Sequence, residues 1–164
     1  MAEILWFEDL RVGDRWVSES RQVTEADVVQ FADLTGDFNP LHVDEEFAKQ
    51  TPFRQPIAHG LLGMSLVAGL GSVSPNVETV AFLGIQDWDF RKPIFFDELL
   101  HVVTVVRELE PNGRRRGRVT WHRQLINQDA QVVQEGLFVS LVACRNASLH
   151  RPATSKPSAW VASS

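Results

Sequence analysis

A single cysteine, Cys144, in 164 residues leaves no internal disulfide, no cysteine-rich zinc site and no paired-thiol redox centre. Tyrosine is absent, which removes every mechanism that needs a phenolic acid or base. Lysine is scarce, with Lys49, Lys92 and Lys156 alone, and nothing around them supports Schiff-base chemistry. No run reaches the ~18 apolar residues that a membrane-spanning helix needs. Met1 to Leu10 carries three acids and no basic residue, the opposite of a secretory or transit peptide, so the expected location is cytoplasmic. Lys and Arg total 16 against 21 for Asp and Glu, a net charge of −5, which argues against nucleic acid as the partner.

What is present suits one globular domain. Apolar residues make up 44% of the chain, enough for a real core, and the length fits a single domain. Residues 146–164 are rich in Ser, Ala and Pro without apolar period, and are expected to form a flexible C-terminal tail to a domain over 1–145. Trp16–Val23 reads as a first strand. Thr24 can cap a helix whose acids Glu25 and Asp27 suit its positive end, and Gly36 lies just past the last turn. Asp44 to Lys49 reads as a short second helix. Ile57–Gly71 is apolar nearly all the way round, which predicts a buried helix. Gly63 and Gly69 inside it suggest that another backbone comes very close. Four strands are expected after it, over Thr79–Ile85, Leu99–Leu109, Arg118–Asn127 and Gln131–Arg145, with turns at Asn112-Gly113 and Asn127 to Ala130. The order predicts an α+β domain, a curved antiparallel sheet wrapped around one central buried helix.

Chemistry concentrates in two segments. Gly36 to Asp44, GDFNPLHVD, places Asp37 and His42 across a turn that can aim both at one point. A carboxylate beside an imidazole makes a general acid–base pair. The competing reading is a turn cap at Asp37 and a packed ring at His42. A calcium loop is excluded because His42 stands where glycine is required and Ala48 where the bidentate glutamate belongs. The second segment, Pro56-Ile57-Ala58-His59-Gly60, opens the apolar helix. Helix N-termini present unpaired N–H groups, and glycine lets a ligand carbonyl approach the Gly60 amide. Relief of crowding would also explain Gly60, and His59 reads as structural.

Together these stretches resemble a known family. Phe7-Glu8-Asp9-Leu10 with Val12-Gly13-Asp14, Thr24-Glu25-Ala26-Asp27, Asp37-x-Asn39-Pro40-x-His42 and Pro56 to Gly60 are similar to the MaoC-like dehydratases, the R-specific enoyl-CoA hydratases of the hot-dog fold. The resemblance spans roughly residues 7–145. It implies catalytic roles for Asp37 and His42, a thioester carbonyl held at Gly60, and Asn39 at the substrate loop. It further implies hydration of a trans-2-enoyl thioester to an (R)-3-hydroxyacyl thioester, without metal or resident cofactor. Coenzyme A or an acyl carrier protein would arrive as part of the substrate, and the protein would be a homodimer or higher homo-oligomer.

Two positions depart from that family. Ala68 stands where some hydratases carry a serine that hydrogen-bonds the catalytic aspartate, and Phe96-Asp97 where Gly-Asp is common. A thioesterase or a non-catalytic acyl-thioester-binding subunit on the same fold are the competing functions. Arg114, Arg115 and Arg116 cluster after the Asn112-Gly113 turn, either as a solvated hairpin tip or as contacts to coenzyme A phosphates. Cys144 is expected to be a small buried hydrophobe.

Overall fold

The computed structural model describes residues 3–145, so the expected tail over residues 146–164 lies outside the described residues. Local chemistry accounts for the first helices. Thr24 Oγ1 accepts from the Asp27 N–H at 3.2 Å while Asp27 Oδ2 accepts from the Thr24 N–H at 2.9 Å, a reciprocal cap. It opens α1, Glu25–Thr35, which ends on Gly36 at φ 77°. Proline then starts α2, Pro40–Val43, and Asp44 caps α3, Glu45–Lys49. His42 therefore rides on one turn of helix, where the sequence suggested a plain turn.

The six strands are β1 (Arg15–Val17), β2 (Arg21–Gln22), β3 (Thr79–Phe90), β4 (Leu99–Pro111), β5 (Arg116–Ile126) and β6 (Val132–Ala143). They form an antiparallel sheet in the order β1-β4-β5-β6-β3, with β2 also on β4. The single first strand expected over Trp16–Val23 is broken in two. Between the two, the Ser18 hydroxyl accepts from the Val102 N–H at 2.8 Å. β3 runs five residues beyond the expected Ile85, because an irregularity between Gln86 and Asp89 carries it past its polar stretch.

Residues 57–59 enter as extended chain, and the apolar helix α4 spans Gly60–Val73. Its stripe of Leu62, Gly63, Val67 and Gly71 is buried on the sheet, where Leu100, Val102, Trp121, Leu125, Val133 and Phe138 form the core. Each fully buried aliphatic side chain there contributes about 1.5–3 kcal/mol. The expectation of a helix buried all round is corrected: Leu61 and Val73 are exposed, as are Ser65 and Ala68, because the sheet covers one side only.

The glycines also differ from expectation. An added Cβ at Gly63 would lie 2.6 Å from Ile94 Cδ1 and would strike the Gln134 amide, so side chains, not a backbone, need that space. Gly69 faces open space; Gly71 is the second tight position, against Arg123. Cys144 is half-buried just beyond β6, less enclosed than expected; burial, then Glu8, pushes its thiol pKa up. Asp97 adopts φ 66°, a left-handed conformation that Asp tolerates better than most residues. Among the described residues no helix is long and apolar enough to cross a membrane.

The packing at Gly63 makes a stability prediction. Gly63→Ala should destabilise the fold by about 1–3 kcal/mol although alanine is the better helix former, because overpacking outweighs propensity. Urea denaturation reads this directly; a Gly63→Ala protein as stable as the parent would contradict the packing.

Candidate active site

Asp37 and His42 reach the same place from two sides of the α1–α2 connection. Asp37 follows the left-handed Gly36, and its Oδ1 accepts from the Asn39 N–H at 3.3 Å. Asn39 Oδ1 in turn accepts from the Leu41 N–H at 3.0 Å, capping α2 and bracing the loop, so its side chain serves the backbone. His42, on that turn of helix, directs Nδ1 to the Ile57 carbonyl at 2.8 Å. A carbonyl can only accept, so Nδ1 carries the ring proton and the neutral ring keeps its lone pair on Nε2.

His59, read from sequence as structural, holds the two together. It is 2% exposed, and its Nε2 donates to the Asp37 carbonyl at 2.9 Å. Its ring packs on His42 with centroids 3.9 Å apart, and Phe31 backs it at 5.0 Å. One buried ring thus ties the Asp37 backbone to the face of the His42 ring. The signal for this role was its place immediately before Gly60, but the partners lie 22 and 17 residues away in sequence.

Burial lowers the His42 pKa from 6.5, and neighbouring His59 lowers it further; the Ile57 carbonyl and Asp37 oppose the shift. The net direction keeps His42 neutral and able to accept a proton. Ligand atoms of Asp37, His42 and His59 all lie within 4.8 Å of one another. The Asp37 carboxylate and the His42 ring are thus near enough for a small polar molecule to meet both. The same three side chains form a donor set that a metal could use, although His42 Nδ1 and His59 Nε2 are engaged with carbonyls.

His42 and Gly60 line a cleft of about 370 Å³ together with Ile57, Phe90, Lys92 and Gln134. As the first residue of α4, Gly60 has an N–H with no carbonyl inside the helix to receive it. Its own carbonyl accepts from Gln134 Nε2 at 3.0 Å, which fixes the peptide from β6. A Cβ at Gly60 would also lie 2.9 Å from Phe90 Cε1, so close packing and an open amide both require glycine. Gln134, Phe90 and Lys92 were not legible as site residues; their places depend on strand pairing far along the chain.

The remaining positions fall elsewhere. Ala68 lines a different cavity, and Ser65 Oγ donates to the Leu61 carbonyl of its own helix at 2.8 Å. Arg114, Arg115 and Arg116 lie at the β4–β5 hairpin. Arg116 is nine residues along β5 from Leu125, which pairs with Gln134 at the cleft, roughly 30 Å away at strand rise. The structure does not bring this cluster to the cleft of the same chain. Arg91 is tied to Glu135 at 2.6 Å, whereas Lys92 forms no ion pair among the described residues.

The MaoC like domain matches residues 11–128. A 3-hydroxybutyryl-CoA dehydratase of Methylorubrum extorquens is 40% identical over 113 residues, 68% of this chain and 70% of that protein. An (R)-specific enoyl-CoA hydratase of Aeromonas caviae is 39% identical over 108 residues, 63% of this chain and 78% of that protein. The crystal structure of a MaoC-like dehydratase from Rhodospirillum rubrum superposes with a TM-score of 0.77 at 30% identity, covering 86% of this chain and 98% of that one. The sheet curved on α4 is a hot-dog domain, and the chain belongs to the MaoC-like dehydratase family.

Proposed function

We propose that the protein is a hydro-lyase interconverting trans-2-enoyl and (R)-3-hydroxyacyl thioesters. The observation that carries this reading is a neutral imidazole that shares a cleft with an unpaired helix N–H and has a carboxylate at its side. The relatives named above as dehydratase and hydratase of CoA thioesters support it.

In this mechanism the thioester carbonyl accepts from the Gly60 N–H. The water lies between Asp37 and His42, with the carboxylate accepting one O–H and His42 Nε2 the other. The water oxygen bonds Cβ as Nε2 takes its proton. The π electron pair moves to Cα and onto the thioester oxygen, where the Gly60 amide stabilises the developing charge. The proton then passes from the Asp37–His42 pair to Cα. Atoms and charge balance without a metal, a nicotinamide or a flavin; coenzyme A enters and leaves as part of the substrate. Lys92 at the cleft is the cation placed to meet its phosphates, and the Arg114–Arg116 turn could reach them only from a second protomer.

A second protomer is itself part of the proposal. β3 pairs with β6 on one side only, so it is an edge strand, and it carries Val80, Phe82, Leu83 and Phe90, each 50–58% exposed. Such an apolar edge invites pairing with another copy. Light scattering should find twice 18.5 kDa at working concentration, and a single 18.5 kDa species would contradict it.

Asp37→Asn keeps size and hydrogen bonding but holds no charge, and His42→Gln keeps a polar contact but shuttles no proton. Each should lower crotonyl-CoA hydration by about 10²–10⁴ with folding intact. The double variant should lose much less than the product of the two, since groups acting as one unit are not additive. Folded single variants with near-parental rates would remove the mechanism.

The pH profile follows from the direction of the His42 shift. Protonation of Nε2 abolishes the acceptor, so activity falls on the acid side. Because the folded-state pKa lies below 6.5, the acid limb of kcat/KM should have its midpoint below 6.5. By the same linkage the unfolded chain binds the proton more readily, so His42 costs stability as pH falls through 6.5 toward the folded value. An acid limb centred at or above 6.5 would contradict a neutral His42 base.

A further inference from the structure

Arg123 is the only Lys, Arg, Asp or Glu buried among the described residues. Strand alternation on β5 sets Val119, Trp121, Arg123 and Leu125 on the same side, facing α4, so a cation enters an otherwise apolar layer. Gly71 makes room for it: a Cβ there would lie 2.7 Å from the guanidinium carbon. Arg123 Nη2 donates to the Gly71 carbonyl at 2.9 Å, and the Phe138 ring faces the guanidinium at 4.9 Å. Its Nε has no partner, and no carboxylate among the described residues pairs with it. Burial lowers its pKa to about 10, which leaves it charged at neutral pH.

The carbonyl end of α4 favours a cation there. Taking an unpaired guanidinium out of water costs more than that contact and the ring return. The remainder calls for an anion, and there is space for one. Arg123 lines a second cavity of about 220 Å³ whose other walls include Ala68, Phe82, Trp121, Phe138 and Ser140. Apolar walls with one buried cation suit an aliphatic chain that ends in a negative charge. The two cavities lie along the same two elements: α4 and β6 give Gly60 and Gln134 to the first, and Gly71 and Phe138 to the second. Gly71 lies eleven residues beyond Gly60, about 16 Å along the helix at 1.5 Å per residue.

We propose that the second cavity is a specificity pocket in which Arg123 pairs with a carboxylate at the far end of the acyl group, so that the protein favours thioesters of dicarboxylic acids. The proposal rests on the acyl-thioester reading above, but its test does not depend on turnover. Saturated ligands cannot be hydrated and report binding alone.

Titration calorimetry would compare hexanoyl-CoA with adipoyl-CoA and dodecanoyl-CoA with dodecanedioyl-CoA. At one length or both, the dicarboxylic member should bind roughly tenfold to a hundredfold more tightly. Arg123→Met should remove the difference within that pair, and Arg123→Lys should keep part of it, since the charge stays while the planar fork is lost. Equal binding within both pairs by the parent protein overturns the proposal, and needs no variant to fold. A difference that survives in Arg123→Met overturns it as well, and would leave Arg123 as a prop for the helix end. Failure to hydrate crotonyl-CoA would count against the hydratase reading, whereas loss of the binding preference counts against this pocket.

Discussion

Everything in the molecule depends on how closely α4 can lie against the sheet. Gly63 and Gly71 remove side chains from the buried stripe of the helix, and the sheet fills the space with Gln134 from β6 and Arg123 from β5. Both polar groups bond to helix carbonyls, Gln134 to Gly60 and Arg123 to Gly71, so the helix is pinned near its start and near its end. The apolar residues between them, Leu62 and Val67, supply burial energy without fixing position along the axis. The polar pins supply that position. They set where the Gly60 N–H points, and therefore where a carbonyl can be held.

The placement of Asp37 and His42 is built on this base by a second set of contacts. Ile57 and His59, the extended residues just before α4, bond to His42 and to Asp37 respectively. The loop that carries Asp37 and His42 is thereby referenced to the same peptide segment that presents the Gly60 amide. A carboxylate, a neutral imidazole and an N–H donor thus share one rigid frame, as preorganised acid–base and oxyanion chemistry requires.

What could be read from the chain alone was local. The Thr24 cap, the Gly36 stop and the glycine opening the apolar helix are encoded within a few residues and sit as expected; the Asp37-x-Asn39-Pro40-x-His42 spacing is equally local, although His42 stands on a turn of helix. The long strands were legible from their β-branched content, but their ends were not, because bulges and pairing partners decide those. His59 was read as structural without its two partners, which only the fold brings near. Neither composition nor helical period says that Gly71, and not Gly69, meets a side chain from the sheet. Arg123 was visible in principle, since period-two counting from Trp121 puts it on the buried face, yet its lack of an acidic partner depends on the whole packing. The exposed side of α4 was missed because an apolar helix reads alike whether a sheet or a second copy covers it.

The central claim is that Asp37, His42 and Gly60 direct water to Cβ of an enoyl thioester and leave the thioester bond intact. Incubating the purified protein with crotonyl-CoA, and following enoyl absorbance together with free thiol, tests it most directly. The account predicts loss of the enoyl absorbance, formation of 3-hydroxybutyryl-CoA of R configuration, and no thiol release. Release of free coenzyme A, or saturable binding with the enoyl group untouched, would contradict it.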